Sequence, residues 1–198
     1  MSEIKRLLSK GESKLLPMVL VLASGRGERF KASGGSVGKL EALLAGKPVL
    51  QHTMDAVAAS GLPWHLEQAN HPGMGDSIAA AIRANPGSNG WLILPADLPL
   101  VQSKTLLDVA SSLRRHTTVR PTDKGQRGHP VGFGPTCKAA LMQLSGNKGA
   151  APVLLQFDPL ELPVDDVGVV TDIDTVSDLQ LAEAIITRRK VLNRPGSW

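Results

Sequence analysis

Three short stretches of this chain carry the residue types that can do chemistry. The first is Met18-Val-Leu-Val-Leu-Ala-Ser-Gly-Arg-Gly-Glu-Arg-Phe30, with Lys39 close behind. Its apolar run breaks abruptly into Ser24-Gly25-Arg26-Gly27, as a buried strand does where it leaves a sheet for a tight loop. Glycine there lets the backbone approach a ligand closely and frees amide N–H groups for an anion. Arg26, Arg29 and Lys39 add convergent positive charge, which points to a phosphate-binding site. The second stretch ends in Asp97, and the third holds Asp172 and Asp174. Mg²⁺ prefers one or two carboxylates together with phosphate oxygens and water. Cations at one strand end and carboxylates at two others therefore suit an Mg²⁺–phosphate complex lying between them. Asp97 also suits a turn ahead of Pro99, and Asp172 and Asp174 also suit helix capping. Thr175 already fits the N-cap role, which frees at least one of that pair.

Two familiar phosphate loops are excluded by the residues. A dinucleotide fingerprint needs a third glycine where Phe30 stands. A P-loop needs a glycine at Ser33 and a hydroxyl residue at Leu40. No nucleophilic Ser–His–Asp arrangement is read. The five histidines are scattered with no helical pair for zinc. His129, within Gln126-Arg-Gly-His-Pro130, reads equally as a ligand contact or as a loop histidine satisfied by backbone.

The elements that must position these residues follow from periodicity and turn chemistry. Met18 to Leu22 and Gly90 to Pro95 read as buried strands. Pro48 suits the first turn of a helix to about Ser60 with an apolar stripe of Val49, Leu50, Met54 and Val57, stopped by Gly61. Gly73-Met-Gly opens a helix to about Asn85, with Asp76 or Ser77 favouring its positive end. Another helix runs from about Ser103 to Arg115. Strands are expected over Thr117 to Arg120, Gly128 to Phe133, Leu160 to Val164 and Gly168 to Ile173. Short helices are expected near Thr136 to Leu144 and Ala150 to Phe157. Thr175-Val-Ser-Asp178 is a capping box for a terminal helix through Ile186 or beyond. Alternating strands and helices predict a three-layer α/β/α sandwich, Rossmann-like, with a mostly parallel sheet.

Composition narrows the function classes. The 198 residues, 42% hydrophobic, suit a single domain over 1–198 with a peripheral N-terminal segment at 1–16. A net charge of +4 is a small excess, and the basic cluster Arg188-Arg-Lys190 with Arg194 reads as a solvated helix end. Three Trp, three Phe and no Tyr argue against a base-stacking nucleic-acid platform. Cys137 is alone, so a disulfide framework and a cysteine metal site are excluded. No secretory signal and no bilayer-length apolar stretch are read, so a cytoplasmic location is expected, with no nucleic-acid and no membrane partner.

Six motifs then appear in the order of a known family. Leu22-Ala-Ser-Gly-Arg-Gly-Glu-Arg-Phe30 with Lys39-Leu40 resembles the signature loop of the MobA-like nucleotidyltransferases, and Gly46-Lys-Pro-Val-Leu-Gln-His52 resembles its next stretch. Gly73-Met-Gly-Asp-Ser77, Leu94-Pro-Ala-Asp-Leu-Pro-Leu100, Arg127-Gly-His-Pro-Val131 and Thr171-Asp-Ile-Asp-Thr175 complete the set, spanning about Val19 to Ala184. The nearest branch resembles the molybdenum cofactor cytidylyltransferases, since Leu-Ala-Ser-Gly and Arg-Gly-His-Pro-Val look more like the cytidylyl than the guanylyl pattern. The resemblance implies a GT-A-like fold with the nucleoside triphosphate across the first loop. It implies nucleotide contacts at Leu22, Ala23, Ser24 and Gly25, and phosphate contacts at Arg29 and Lys39 beside the cationic Arg26. Asp97 would meet Mg²⁺, with Asp172 or Asp174 completing the metal environment. Gly75 would line the base or ribose pocket, and Arg127 and His129 would face the second substrate.

The implied reaction moves CMP from CTP, or GMP from GTP, onto the phosphate of a molybdopterin-type acceptor and releases pyrophosphate. A molybdoenzyme receiving the product is the implied partner. A sugar-phosphate acceptor and a non-catalytic cofactor carrier are the rival readings. Two departures stand out. About four extra residues precede Lys39, which leaves that lysine's position open. Only Leu62 to Pro72 separates the Pro48 helix from Gly73, so a sheet one strand smaller and a more open base pocket are expected.

Overall fold

The computed structural model describes residues 15–25 and 27–192. Most of the peripheral 1–16 segment, Arg26 and Arg194 lie outside the described residues. Strand β1 (Met18–Leu22) is central, paired in parallel with β4 (Trp64–Glu67) on one side and β5 (Trp91–Pro95) on the other. Two two-residue strands, β2 (Leu43–Leu44) and β3 (Lys47–Pro48), form a separate antiparallel ribbon. Beyond β5 the sheet continues with β8 (Val131–Phe133), antiparallel to both β5 and β6 (Thr118–Asp123). The short β7 (Gln126–Arg127) pairs with the far end of β6, and β9 (Leu160–Pro163) lies parallel to β6. Among the described residues the expected mostly parallel sheet forms with seven strands, of which β7 and β8 alone run against the rest.

Alternation along β1 explains the layers. Val19 and Val21 join Leu92 and Leu94 of β5 in one cluster with Val57 of α2 (Val49–Ser60) and Leu106, Val109 and Ala110 of α4 (Ser103–Ser112). Leu20 and Leu22 face the other way, with Ile93, Val131 and Phe133, onto Ile78, Ala79, Ala81 and Ile82 of α3 (Met74–Ala84) and Leu141 of α5 (Lys138–Met142). Successive strand side chains point to opposite faces, so a run that is apolar at every position must be covered on both. A third cluster joins Phe30 of α1 (Glu28–Ala32), Leu44, Val49, Leu100, Ile173 and Ala182, seating the terminal helix α7 (Val176–Leu192) beside the loops at the strand ends.

Several sequence expectations change at element ends. The helix expected to reach Arg115 stops at Ser112, where Arg114 and Arg115 N–H groups turn back to Ser111 and Ser112 carbonyls. The expected Gly128 to Phe133 strand shortens to Val131–Phe133, because the His129 N–H donates to the Val169 carbonyl rather than to a strand neighbour. The helix near Ala150 to Phe157 shortens to α6 (Ala151–Leu154). No strand forms over Gly168 to Ile173. Asp166 accepts the Gly168 N–H instead and opens a 3₁₀ turn at Val167–Val169. Gly168 packs so closely that a Cβ would stand 2.2 Å from the Leu100 backbone, an approach only glycine allows. Cys137 is buried in the 3₁₀ turn Pro135–Cys137, where burial pushes its thiol up, as packing rather than nucleophilic duty requires.

The Thr175 capping box forms as expected. The Asp178 carboxylate accepts from the Thr175 N–H at 2.7 Å and its hydroxyl at 2.8 Å, and the Asp178 N–H donates to Thr175 Oγ1. Partial burial works to raise the Asp178 carboxyl, but the Thr175 hydroxyl, the Thr175 N–H and the Asp174 N–H outweigh it and hold it below its usual range. A folded pKa below the unfolded one means stability present above about pH 4 and lost as pH falls through the folded value. Asp178→Ala is expected to cost about 0.5–2 kcal/mol near neutrality. Urea melts of both proteins at neutral and at acid pH check it: the gap should close in acid, and a constant gap would contradict the cap's ionised role.

Candidate active site

Chain order places the site. From β1 the chain crosses to β4 on one side and then returns past β1 to β5, so the order reverses between β1 and β5. Ligands in open α/β sheets bind outside the carboxyl ends of strands at such a point. β1 ends at Leu22 here, and the N–H of the next residue, Ala23, is held by the Glu67 carbonyl at 2.8 Å. The Ala96 N–H donates to the Leu22 carbonyl at 3.0 Å, which registers the Asp97 turn against the glycine turn. Thr53, buried on α2, donates its hydroxyl to the Ala96 carbonyl at 2.9 Å. The Ile173 N–H donates to the Asp97 carbonyl at 2.9 Å and ties in the third loop.

A cleft of about 610 Å³ opens over these strand ends. Gly25, Gly27, Arg29, Lys39, Asp97, Gln126, Arg127, Gly128, His129, Asp172 and Asp174 are among the residues that line it. A smaller cavity of about 230 Å³ adjoins it, with Leu22, Ser24, Gly25, Lys39, Gly73, Met74 and Asp97 in its wall. Lys39 and Asp97 stand where the two meet.

Charge is already paired across the cleft. Lys39 Nζ lies 2.5 Å from Asp97 Oδ2 and 3.0 Å from Asp174 Oδ1, and Arg29 reaches the other Asp174 oxygen at 2.8 Å. The Lys39 and Asp97 side chains are only 13% and 15% exposed, so water screens that pair poorly. The Arg29 side chain is 78% exposed, and its pair is correspondingly weak. Burial alone would lower the Lys39 pKa, but Asp97 and Asp174 overturn that and hold it above its ordinary value. Asp97 Oδ1 is buried with no hydrogen-bond partner. Asp172 is exposed as a residue, yet partial desolvation of its carboxyl, helped by Asp174 and Asp97, raises its pKa.

The extra residues before Lys39 do not displace it. The Ser33, Gly34 and Gly35 N–H groups turn back onto Arg29, Lys31 and Phe30 carbonyls, closing the insertion over the Phe30 ring. The Lys39 stem then runs beside Gly27, whose φ of +64° and close approach favour glycine. Ser33 Oγ also accepts the Val176 N–H at 3.0 Å, linking this loop to the start of α7.

Elsewhere in the cleft wall the Arg127 Nε donates to Glu161 at 2.6 Å and His129 Nδ1 is buried without a partner. Burial pushes the His129 pKa down, with Arg120 adding to the effect against the Ile93 carbonyl, Asp97 and Asp172, so the ring is neutral near pH 7.

One expectation needs correction. Gly75 is absent from the residues lining either cavity: its N–H donates to the Gly146 carbonyl, and a Cβ would meet the Ser145 carbonyl oxygen at 2.7 Å. Its role is close packing, and Gly73 and Met74 take the place in the wall. Asp97, Asp172 and Asp174 share the cleft as expected; among the described residues no group of three or more His, Cys, Asp or Glu is arranged to hold a metal, so the arrangement is one of two carboxylates at most. Lys39 draws Asp97 and Asp174 onto itself instead. The carboxylates still fit a divalent cation, since hard oxygens are present, one is buried and unpartnered, and phosphate oxygens and water commonly complete an Mg²⁺ shell.

Some of the site was missed in the sequence. Thr53 carried no signal, because its partner is a backbone carbonyl 43 residues away. His71 lines the smaller cavity, and its Nε2 lies 3.3 Å from buried Glu67, which His65 approaches at 3.6 Å. Met74 had a signal, standing inside the quoted Gly73-Met-Gly.

Comparison with known proteins agrees with this architecture. The model of the MobA-like NTP transferase domain matches residues 53–160, a span that includes Asp97, Arg127 and His129. The chain is 28% identical over 144 residues to the bifunctional protein GlmU of Xanthomonas axonopodis pv. citri, a match that covers 60% of this chain and 30% of that relative's length. Rv0371c from Mycobacterium tuberculosis H37Rv superposes with a TM-score of 0.71 at 20% identity, covering 85% of this chain and 98% of that one. A manganese complex of the same protein gives 0.65 at 22% identity with the same coverage. Molybdopterin-guanine dinucleotide biosynthesis protein A from Archaeoglobus fulgidus gives 0.63 at 18% identity, covering 86% of this chain and 99% of that one. These structural likenesses establish the α/β fold. Among the described residues no helix is long and apolar enough to cross a membrane.

Proposed function

The chain belongs to the MobA-like NTP transferase family, whose model spans more than half of it, and from that premise we propose that it transfers a nucleoside monophosphate, CMP from CTP in the first instance, to the phosphate of a molybdopterin-type acceptor. GTP is the alternative donor, and a molybdoenzyme the proposed recipient of the product. The observation that carries the reading is the cleft itself, whose wall gathers a glycine turn, Lys39 and the carboxylates of Asp97, Asp172 and Asp174.

In this reading an acceptor phosphate oxygen attacks the α-phosphorus in line. The bond from that phosphorus to the bridging oxygen of the β-phosphate breaks, and pyrophosphate leaves with the electron pair. The attacking phosphate is already ionised at neutral pH, so no base must take a proton. What the protein must provide is alignment and charge neutralisation. The Gly25 turn offers N–H groups to the triphosphate, and Lys39 and Arg29 offset its charge. Leu22, Ala23 and Ser24 flank the nucleoside, with the smaller cavity as the place for its base. Arg127 and neutral His129 hold the acceptor from elsewhere in the cleft wall, the buried Nδ1 serving as an unused hydrogen-bonding atom for it. A divalent cation, Mg²⁺ or Mn²⁺, held by Asp97 with Asp172 or Asp174, would supply further neutralisation of phosphate charge.

Pyrophosphate release is the test. The protein is incubated with CTP or GTP, Mg²⁺, and either molybdopterin or a sugar phosphate. Release that requires molybdopterin supports the proposal. Release with sugar phosphate alone would reassign the acceptor, and tight molybdopterin binding without any release would make the protein a carrier.

A further inference from the structure

Lys39 sits where a divalent cation would otherwise be drawn. Its ammonium joins Asp97 and Asp174, two carboxylates from separate loops, at 2.5 and 3.0 Å. Both aspartates are largely shielded, with side-chain exposures of 15% and 22%. Two carboxylate oxygens converging on one compact charge form the protein's usual share of an Mg²⁺ shell. An ammonium is itself a compact point charge with rotatable donors, able to fill such a gap and to leave it. A divalent metal ion at about 2.1 Å from these oxygens would stand beside an ammonium already this close, and the two positive charges would repel in poorly screened surroundings.

The surroundings give the ammonium somewhere to go. Lys39 lines both cavities, and its stem lies along the glycine turn, close enough that a Cβ on Gly25 would meet its Cε at 4.0 Å. Rotation about that flexible stem moves the charge over the turn, where the phosphates lie in the transfer reading, while Asp97 and Asp174 stay in place. Metal alone offers Lys39 nothing in return for its two carboxylates. Metal arriving with a triphosphate takes the carboxylates and presents fresh negative charge to the lysine.

We propose that Lys39 is a built-in stand-in for the divalent cation: it fills the carboxylate pair in the free protein and yields it when metal arrives together with nucleotide. The inference rests on the nucleotide-transfer reading and adds an order of binding to it. The test is a calorimetric titration of the full chain with Mn²⁺ alone. Lys39→Met is expected to bind Mn²⁺ about tenfold or more tightly than the parent, because charge removed from within ~4 Å of the metal acts through poorly screened surroundings. Arg127→Gln loses the same charge from the same cleft without touching either aspartate, and should change Mn²⁺ affinity by no more than about twofold. Equal Mn²⁺ affinity in Lys39→Met and parent overturns the proposal, as does an Arg127→Gln gain that matches Lys39→Met. Should Lys39→Met not fold, Lys39→Gln keeps a hydrogen-bond donor for Asp97 without the charge and is read the same way. Parallel titrations of the parent with the Mn²⁺ complexes of CTP and GTP separate the two claims. Failure of both complexes to bind overturns the transfer reading, whereas unchanged Mn²⁺ affinity beside intact complex binding overturns the stand-in alone.

Discussion

Asp97→Ala is expected to lower pyrophosphate release by about a thousandfold, equivalent to roughly 4 kcal/mol of lost transition-state stabilisation. Asp97 is the carboxylate most committed to the cleft: one oxygen holds Lys39, and the other is buried with no partner. A buried acceptor left open in the free protein makes sense if a ligand claims it during turnover. The substitution should spare the fold, because the turn is held by backbone bonds. The Ala96 carbonyl keeps Thr53, the Ala96 N–H keeps Leu22, and the Asp97 carbonyl keeps the Ile173 N–H. Asp97→Asn, which preserves shape and removes charge, should be almost as inactive. Steady-state rates beside thermal melts decide it. Turnover within about tenfold of the parent would remove Asp97 from the chemistry.

Asp166→Ala carries the largest expected effect on stability, a loss of about 3–5 kcal/mol. Its side chain is 2% exposed and accepts from the Gln102 N–H and side chain, the Thr105 hydroxyl and the Gly168 N–H, with Arg189 at 3.5 Å. One carboxylate thus joins the start of α4, the 3₁₀ turn before Asp172, and the far part of α7. Arg189 also donates to the Leu100 carbonyl, which sits against Gly168. Truncation leaves several shielded donors without a partner, and each lost partner carries a desolvation cost. For a chain of this size the melting temperature should fall by roughly 10 °C. Asp166→Asn should lose less, since it keeps an acceptor oxygen. A melting point within about 2 °C of the parent for Asp166→Ala would show the network to be dispensable.

Neither Asp166 nor Arg189 stood out in the sequence, which marks the limit of reading by type and spacing. Arg189 was read as part of a solvated basic helix end, and its guanidinium instead reaches inward to a carbonyl 89 residues away. The run Gly168 to Ile173 was read as a strand. Tertiary context overrode that propensity: the Asp166 carboxylate took the Gly168 N–H, the His129 N–H took the Val169 carbonyl and the Asp97 carbonyl took the Ile173 N–H. Gly75, a pocket residue only by the family resemblance, packs against the Ser145 carbonyl instead, a contact that no neighbouring residue announces.

What the sequence by itself determined is local. The apolar run of β1, its break at Gly25, the stop at Gly61 and the reciprocal cap at Thr175 are each decided by contiguous residues whose backbone freedom and hydrogen bonding are settled within a few positions. Alternation of such elements was enough to determine the layered α/β class, and the strand ends marked where charge would gather. Only the tertiary structure decided which charges meet. Lys39 finds Asp97 across 58 residues and Asp174 across 135 because the crossovers bring three strand ends together. Ion pairing depends on distance and desolvation, and both are properties of the folded packing rather than of the order of residues along the chain.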